Sequence, residues 1–175
     1  MLPVESERIW EFAIPTADGA FLARYSTTGL CGLRFPDDTR ALPDPVENAP
    51  VEIIAWHRIT TAALAAALKG NGFAKLPPLD LREGTEFQRS VWNAMLQIPA
   101  GDTASYGEIA QRIGKPKALR AVGGACGANP IPVLVPCHRV LAANSRIGGF
   151  SSGLDWKRKL LAREGIVPRE KQPRQ

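Results

Sequence analysis

The sequence predicts two domains: an α/β N-terminal domain with a small antiparallel sheet over residues 1–82, and a mainly α, helix-turn-helix-like C-terminal domain over 83–167. A flexible basic tail, 168–175, follows. Three observations predict this. Short alternating runs near the start are separated by turn dipeptides. Helical periodicity with caps dominates after residue 84. Charge divides at the same place: residues 1–83 hold 8 Lys/Arg and 11 Asp/Glu, a net of −3, while residues 84–175 hold 14 and 6, a net of +8. That asymmetry suggests that the second half meets a polyanion.

The N-terminal elements follow from local pattern. Ile9–Ile14, Ala20–Ser26 and Gly29–Phe35 read as strands, with Asp18-Gly19 and Thr28-Gly29 as turns. Residues 36–50, rich in Pro and Asp, read as an irregular loop. Trp56–Lys69 has helical spacing and stops at Gly70, and Leu79–Leu81 reads as a last short strand. Cys31 is expected to pack in the core beside Leu30 and Leu33, and His57 to lie at the surface near a helix start. This half holds no catalytic constellation and reads as a scaffold.

In the second half, Thr85 is a candidate N-cap for a helix over 86–98, with Phe87, Val91, Trp92, Met95 and Leu96 on one face. Ser105 caps a short helix that runs to Gly114, and Lys117–Ala128 forms a second. The pair has helix-turn-helix spacing. Its second helix presents Ala and Gly where base-reading Asn, Gln and Arg would stand, with Arg120 the single long cation in its middle. Such a smooth face suits a shallow approach to a minor groove, although packing against Trp92 or the Cys137 segment would also account for Gly123 and Gly124. Cys126 reads as a small core residue. Asp155 to Arg163 reads as an amphipathic helix with Leu154, Trp156, Leu160 and Leu161 as its apolar set, closed by Glu164 and Gly165. Gly148–Gly153 reads as a flexible lid loop.

Chemistry concentrates in Ile131–Val140, where Cys137 and His138 are adjacent. A thiol is a useful nucleophile as thiolate, and a neighbouring imidazole favours that form or takes the proton. Pro132 and Pro136 are expected to hold the approach to Cys137 extended. Glu164, a carboxylate at a helix C-terminus, opposes the helix dipole, and His138 is its candidate partner. The three cysteines, odd in number and far apart, predict reduced thiols in a cytoplasmic protein, nucleoid-associated in a bacterium. No run is read as membrane-spanning, no signal peptide is read at the N-terminus, and two histidines do not make a His-rich metal site.

Pro136-Cys-His-Arg-Val140, Ser105-Tyr106, Gly114–Gly124, Asn129-Pro130 and Ala162–Gly165 together resemble the O6-alkylguanine-DNA alkyltransferases, the methylated-DNA–protein-cysteine methyltransferases. The resemblance runs from Phe87 to Gly165. It implies a ribonuclease-H-like N-terminal domain and a winged form of the helix-turn-helix domain. It also implies flipping of O6-alkylguanine, and of O4-alkylthymine, out of duplex DNA and irreversible transfer of the alkyl group to Cys137 in one turnover. His138 is then the base acting through a water, oriented by Glu164. Asn129 braces the turn before the Cys137 segment. Tyr106 turns the target phosphate and bonds the base. Arg120 fills the gap in the stack, with Tyr106, Gly107, Lys115, Ala121 and Gly123 also on DNA. The carbonyls of Cys137 and Val140 and the Ser151 amide read guanine, while Pro132, Phe150, Ser151 and Ser152 shape the pocket.

The implied protein is a monomer, with cooperative assembly on DNA a possibility; it needs no cofactor, metal or membrane. Phe150 stands where many relatives have Tyr, and Ser152 where Gly is common. The zinc ligands of some relatives have no counterpart here, and 175 residues leave no room for the cysteine-rich domain of the adaptive-response relatives. Two other readings compete. A helix-turn-helix module without transfer activity would footprint undamaged DNA sequence-specifically, and a Cys-His hydrolase would turn over repeatedly on an ester.

Overall fold

The computed structural model describes residues 7–37, 43 and 46–170. Three strands, β1 (Trp10–Thr16), β2 (Gly19–Tyr25) and β3 (Leu30–Arg34), form an antiparallel sheet in sequence order. Its period-2 alternation buries Phe12, Ile14, Phe21, Ala23 and Tyr25 on one face. Helix α1 (Val51–Leu68) contributes Ile53, Ala63, Leu64 and Leu68 to the same core. Leu79 makes only an isolated parallel bridge to Leu30, in place of the expected fourth strand.

The second half contributes α2 (Glu86–Met95), β4 (Ala104–Ser105), α3 (Tyr106–Arg112), α4 (Leu119–Gly127), β5 (Val140–Leu141) and α5 (Leu154–Arg163). β4 and β5 pair in parallel. The predicted caps form: Thr85 with Gln88 and Ser105 with Glu108 make complete capping boxes, each worth about 1 kcal/mol. The Trp92 indole donates to the Ala125 carbonyl at 2.8 Å and locks α2 onto α4. One continuous core runs through both halves, and the Leu33 amide donates to the Pro130 carbonyl at 2.9 Å. The sheet edge therefore braces the segment that leads from α4 to Cys137.

Several local expectations change. Helix α1 begins at Val51, before the expected Trp56, because Pro50 in extended backbone starts it without a polar cap. Its Ala-rich 18 residues reach a mean hydropathy of 1.3, long and apolar enough by composition to cross a membrane; the run was too interrupted by Thr and His to stand out. Helix α2 ends at Met95, and 96–98 turn away. Cys31 is only half-buried, its thiol against the Arg24 carbonyl. His57 is not a surface residue: its Nδ1 lies 3.0 Å from the Tyr25 hydroxyl, and its ring stands edge-on to Phe12. Within the expected 36–50 loop, Val46–Asn48 forms a 3-10 turn, and 38–42 and 44–45 lie outside the described residues. The tail is anchored at its start, where Arg169 pairs with Ser145 and Ile147 and Glu170 with Arg158; 171–175 lie outside the described residues.

Candidate active site and DNA interface

The Cys137 segment is a buried turn, and the expectation of an extended approach is corrected. Val133 takes φ 73°, and the Val135 amide bonds back to the Ile131 carbonyl at 2.9 Å. The proline restraints are satisfied locally, but the apolar Val133–Val135 run folds on itself because all three residues are buried. Asn129 holds this turn closed: its amide nitrogen donates to the Val135 carbonyl at 2.7 Å, and its oxygen accepts from the Ile131 amide at 3.0 Å. Cys137 then opens a 3-10 turn, Cys137–Arg139.

The thiol is 5% exposed. Burial pushes its pKa up, opposed by hydrogen bonding from Asn129, the nearby Lys157 charge and the backbone amides of 137 and 138. The resting group is thus a thiol whose anion already has donors waiting. His138 is buried, and burial lowers its pKa below the ordinary imidazole value, against the raising effect of Glu164. Its Nε2 lies 2.9 Å from Glu164 Oε1. A carboxylate there selects the Nε2–H tautomer, which leaves the lone pair on Nδ1. Nδ1 is buried and makes no hydrogen bond to the protein.

Two residues outside the predicted set complete this site. Arg139 grips Glu164 through Nε and Nη2 at 2.8–3.1 Å and donates through Nη1 to the Ile98 carbonyl at 2.6 Å. Burial pushes the Glu164 carboxyl up, but the His138 and Arg139 hydrogen bonds prevail and hold it at about 2. Arg139 sits inside the Pro136–Val140 motif, yet nothing local announced its partner. Lys157 is fully buried and donates to the carbonyls of Val140 at 2.7 Å and Gly149 at 3.1 Å. Its one signal was position: a lysine on the apolar stripe with Leu154, Leu160 and Leu161.

The pocket-forming residues gather around this centre. Pro132 and Val140 are buried, Phe150 and Ser152 half-buried, and Ser151 exposed. The Val140 carbonyl accepts from Lys157, and the Cys137 carbonyl accepts from the Val140 amide. Phe150 packs edge-on against Phe35, with centroids 6.0 Å apart. The expected lid loop is therefore tied down at Gly149 and Phe150. Tyr106, half-buried at the start of α3, has its hydroxyl beside Gly148, and burial raises its pKa. Helices α3 and α4 pack together through Ile109, Ala110 and Val122. Lys115, Arg120 and Ala121 are exposed, as is Gly124, and Gly107 and Gly123 are half-exposed. A Cβ on Gly123 or Gly124 would meet nothing within 4 Å. The packing explanation for these glycines fails, and the smooth outer face of α4 remains. Among the described residues, no Cys/His/Asp/Glu group is placed to hold a metal.

A sequestered thiol, an imidazole turned by a buried carboxylate, and a smooth exposed helix face bearing Arg120 define a cysteine-nucleophile protein built to work on nucleic acid. The family model for the 6-O-methylguanine DNA methyltransferase DNA-binding domain matches residues 86–166. A methylated-DNA–protein-cysteine methyltransferase of Methanosarcina barkeri is 52% identical over 149 residues, 83% of this chain and 90% of that one. One of Methanosarcina acetivorans is 61% identical over 83 residues, 47% of this chain but only 53% of that one. The crystal structure of Mycobacterium tuberculosis OGT in complex with DNA superposes with a TM-score of 0.68 at 37% identity, covering 90% of this chain and 94% of that one. The chain belongs to the methylated-DNA–protein-cysteine methyltransferases, the family in which DNA repair proceeds by alkyl transfer to cysteine.

Proposed function

We propose that this protein flips O6-alkylguanine, and O4-alkylthymine, out of duplex DNA and transfers the alkyl group to Cys137 in a single irreversible turnover. The observation that carries the reading is the Glu164–His138 contact of 2.9 Å beside the buried Cys137 thiol. His138 Nδ1 takes the Cys137 proton through a water, while Glu164 holds Nε2–H and stabilises the imidazolium. The thiolate attacks the alkyl carbon. A carbon–sulfur bond forms, the carbon–oxygen bond breaks, and its electron pair passes to the base, which takes up a proton and leaves as guanine. Tyr106 assists by hydrogen bonding to the base, the phenol hydrogen being the donor. The product is a thioether, and no group nearby reverses it.

On the DNA side, Arg120 replaces the extruded base in the stack, and Gly123 lets α4 lie close to the minor groove. Gly107, Lys115 and Ala121 line the same approach. Pro132, Val140, Phe150, Ser151 and Ser152 enclose the base and its alkyl group. We assign the N-terminal half a ribonuclease-H-like architecture and the C-terminal half a winged helix-turn-helix, acting as a monomer.

The test is a duplex carrying one O6-methylguanine, mixed with the protein and followed by tandem mass spectrometry. Trypsin leaves Cys126 and Cys137 on one peptide, Ala121 to Arg139, so fragment ions must localise the added methylene. A stoichiometric gain on Cys137 with restored guanine is expected. Cys137→Ala should retain duplex affinity and transfer nothing; full transfer by that variant sinks the assignment of the acceptor.

A further inference from the structure

The N-terminal half reaches the reactive centre through the last turn of α5. Asp18, in the turn between β1 and β2, receives both guanidinium arms of Arg163, at 2.7 and 2.8 Å. Lys159, one turn earlier, adds a third contact at 2.9 Å while its ammonium also lies over the Trp156 ring. Asp18 is 10% exposed as a side chain, so this is a largely desolvated bidentate pair. On the other side, Gly70 at the end of α1 takes φ 78° and runs so close that a Cβ there would lie 1.9 Å from the Arg163 carbonyl. Two elements of the N-terminal half thus close on a single residue of the second half.

That residue is the immediate neighbour of Glu164. The Glu164 side chain has its own fixed partners: His138, Arg139 and the Gly101 amide at 3.2 Å. Its backbone, in contrast, is the C-cap of α5, where a helix end frays unless held. Gly165, with φ 76°, closes the cap, its amide bonding to the Ala162 carbonyl at 3.0 Å and the Ile166 amide to the Leu161 carbonyl at 2.9 Å. The Asp18 pair and the Gly70 contact fix where this capped end sits against the N-terminal half.

We propose that Asp18 is a positioning residue for the transfer reaction: by clamping Arg163 it sets the Glu164 carboxylate, and through it the tautomer and orientation of His138. The inference rests on the function proposed above, but it has a readout independent of transfer. The chain has only two histidines, His57 and His138, so nitrogen-detected NMR of the imidazoles resolves both. In the native protein His138 should be the Nε2–H tautomer. In Asp18→Asn that preference should be lost, with His57 unmoved as the internal control, and the single-turnover rate on the O6-methylguanine duplex should fall about fivefold or more with duplex affinity unchanged. The charge swap Asp18→Arg with Arg163→Asp should recover most of both signals.

A lowered melting temperature with tautomer and rate within twofold of native would make the contact merely structural and overturn the proposal. So would failure of the swap to recover either signal when its melting temperature is restored. Native protein that moves no methyl group would instead overturn the function, and the His138 tautomer would still decide the clamp.

Discussion

At the residue scale, Lys157 is the group that the mechanism has to explain. A lysine with no exposed surface gives up hydration and receives two carbonyl contacts in return. Burial brings its pKa from the ordinary 10.5 to about 8. Near neutral pH it therefore remains mostly charged and favours the Cys137 thiolate. The stability consequence has a definite sign. Between pH 8 and 10.5 the unfolded chain keeps this proton and the folded chain loses it, so stability due to Lys157 rises with pH across that window. Buried thiols titrate there in the opposite sense, so the comparison must be made against Lys157→Met. The native-minus-variant difference in unfolding free energy should rise by roughly 2–3 kcal/mol over the window. A flat difference would mean that the folded lysine keeps its proton as long as the unfolded one does, so that burial does not lower its pKa. Its place on the apolar stripe is the one sequence signal of its burial, and its partners are not legible because they lie 17 and 8 residues upstream and offer only backbone. His138 and Glu164 were legible because a helix-terminal carboxylate against the dipole asks for a partner. Arg139, their companion, was not, since the Ile98 carbonyl that fixes it is 41 residues distant.

At the element scale, α4 shows a conflict between stability and contact. Adjacent glycines in a helix interior cost about 1 kcal/mol each relative to alanine. Neither Gly123 nor Gly124 recovers that by packing, because both would-be Cβ atoms point into open space. Gly123→Ala should therefore stabilise the protein by about 1 kcal/mol in chemical denaturation and weaken duplex binding measured by anisotropy. Stabilisation without any loss of affinity would remove α4's smooth face from the interface. The element boundaries show what local chemistry can specify. Thr85 and Ser105 were readable as caps because a capping box lies within four residues of sequence. The start of α1 was not, since Pro50 caps nothing with its side chain. The turn at Val133 was missed because it is imposed from outside, by Asn129 and by burial on every side.

At the scale of the whole molecule, one buried carboxylate joins the two halves beside the common core, and two more tie each half internally. Asp18 links the first hairpin to α5, Asp80 links Ser26 and Thr28 to Arg82, and Glu164 ties α5 to the Cys137 turn. Each is nearly buried at its carboxyl group. Arg163 hydrogen bonding holds Asp18 well below the usual carboxylate range, and Arg82 does the same for Asp80. At Glu164 the His138 and Arg139 bonds overcome burial. A carboxylate with a lowered folded pKa contributes stability that is complete above its unfolded value near 4 and disappears as pH falls through the folded value. All three therefore act in the same direction and in the same window, and acid should loosen each half together with the Asp18 tie between them. In circular dichroism the protein should lose stability steeply below about pH 4, and Asp80→Asn, which leaves Glu164 and its partners in place, should make that slope shallower while lowering stability at pH 7. An unchanged slope in Asp80→Asn would show that the Asp80 contacts within the N-terminal half are not acid-sensitive, leaving the Asp18 and Glu164 contacts to account for the whole effect.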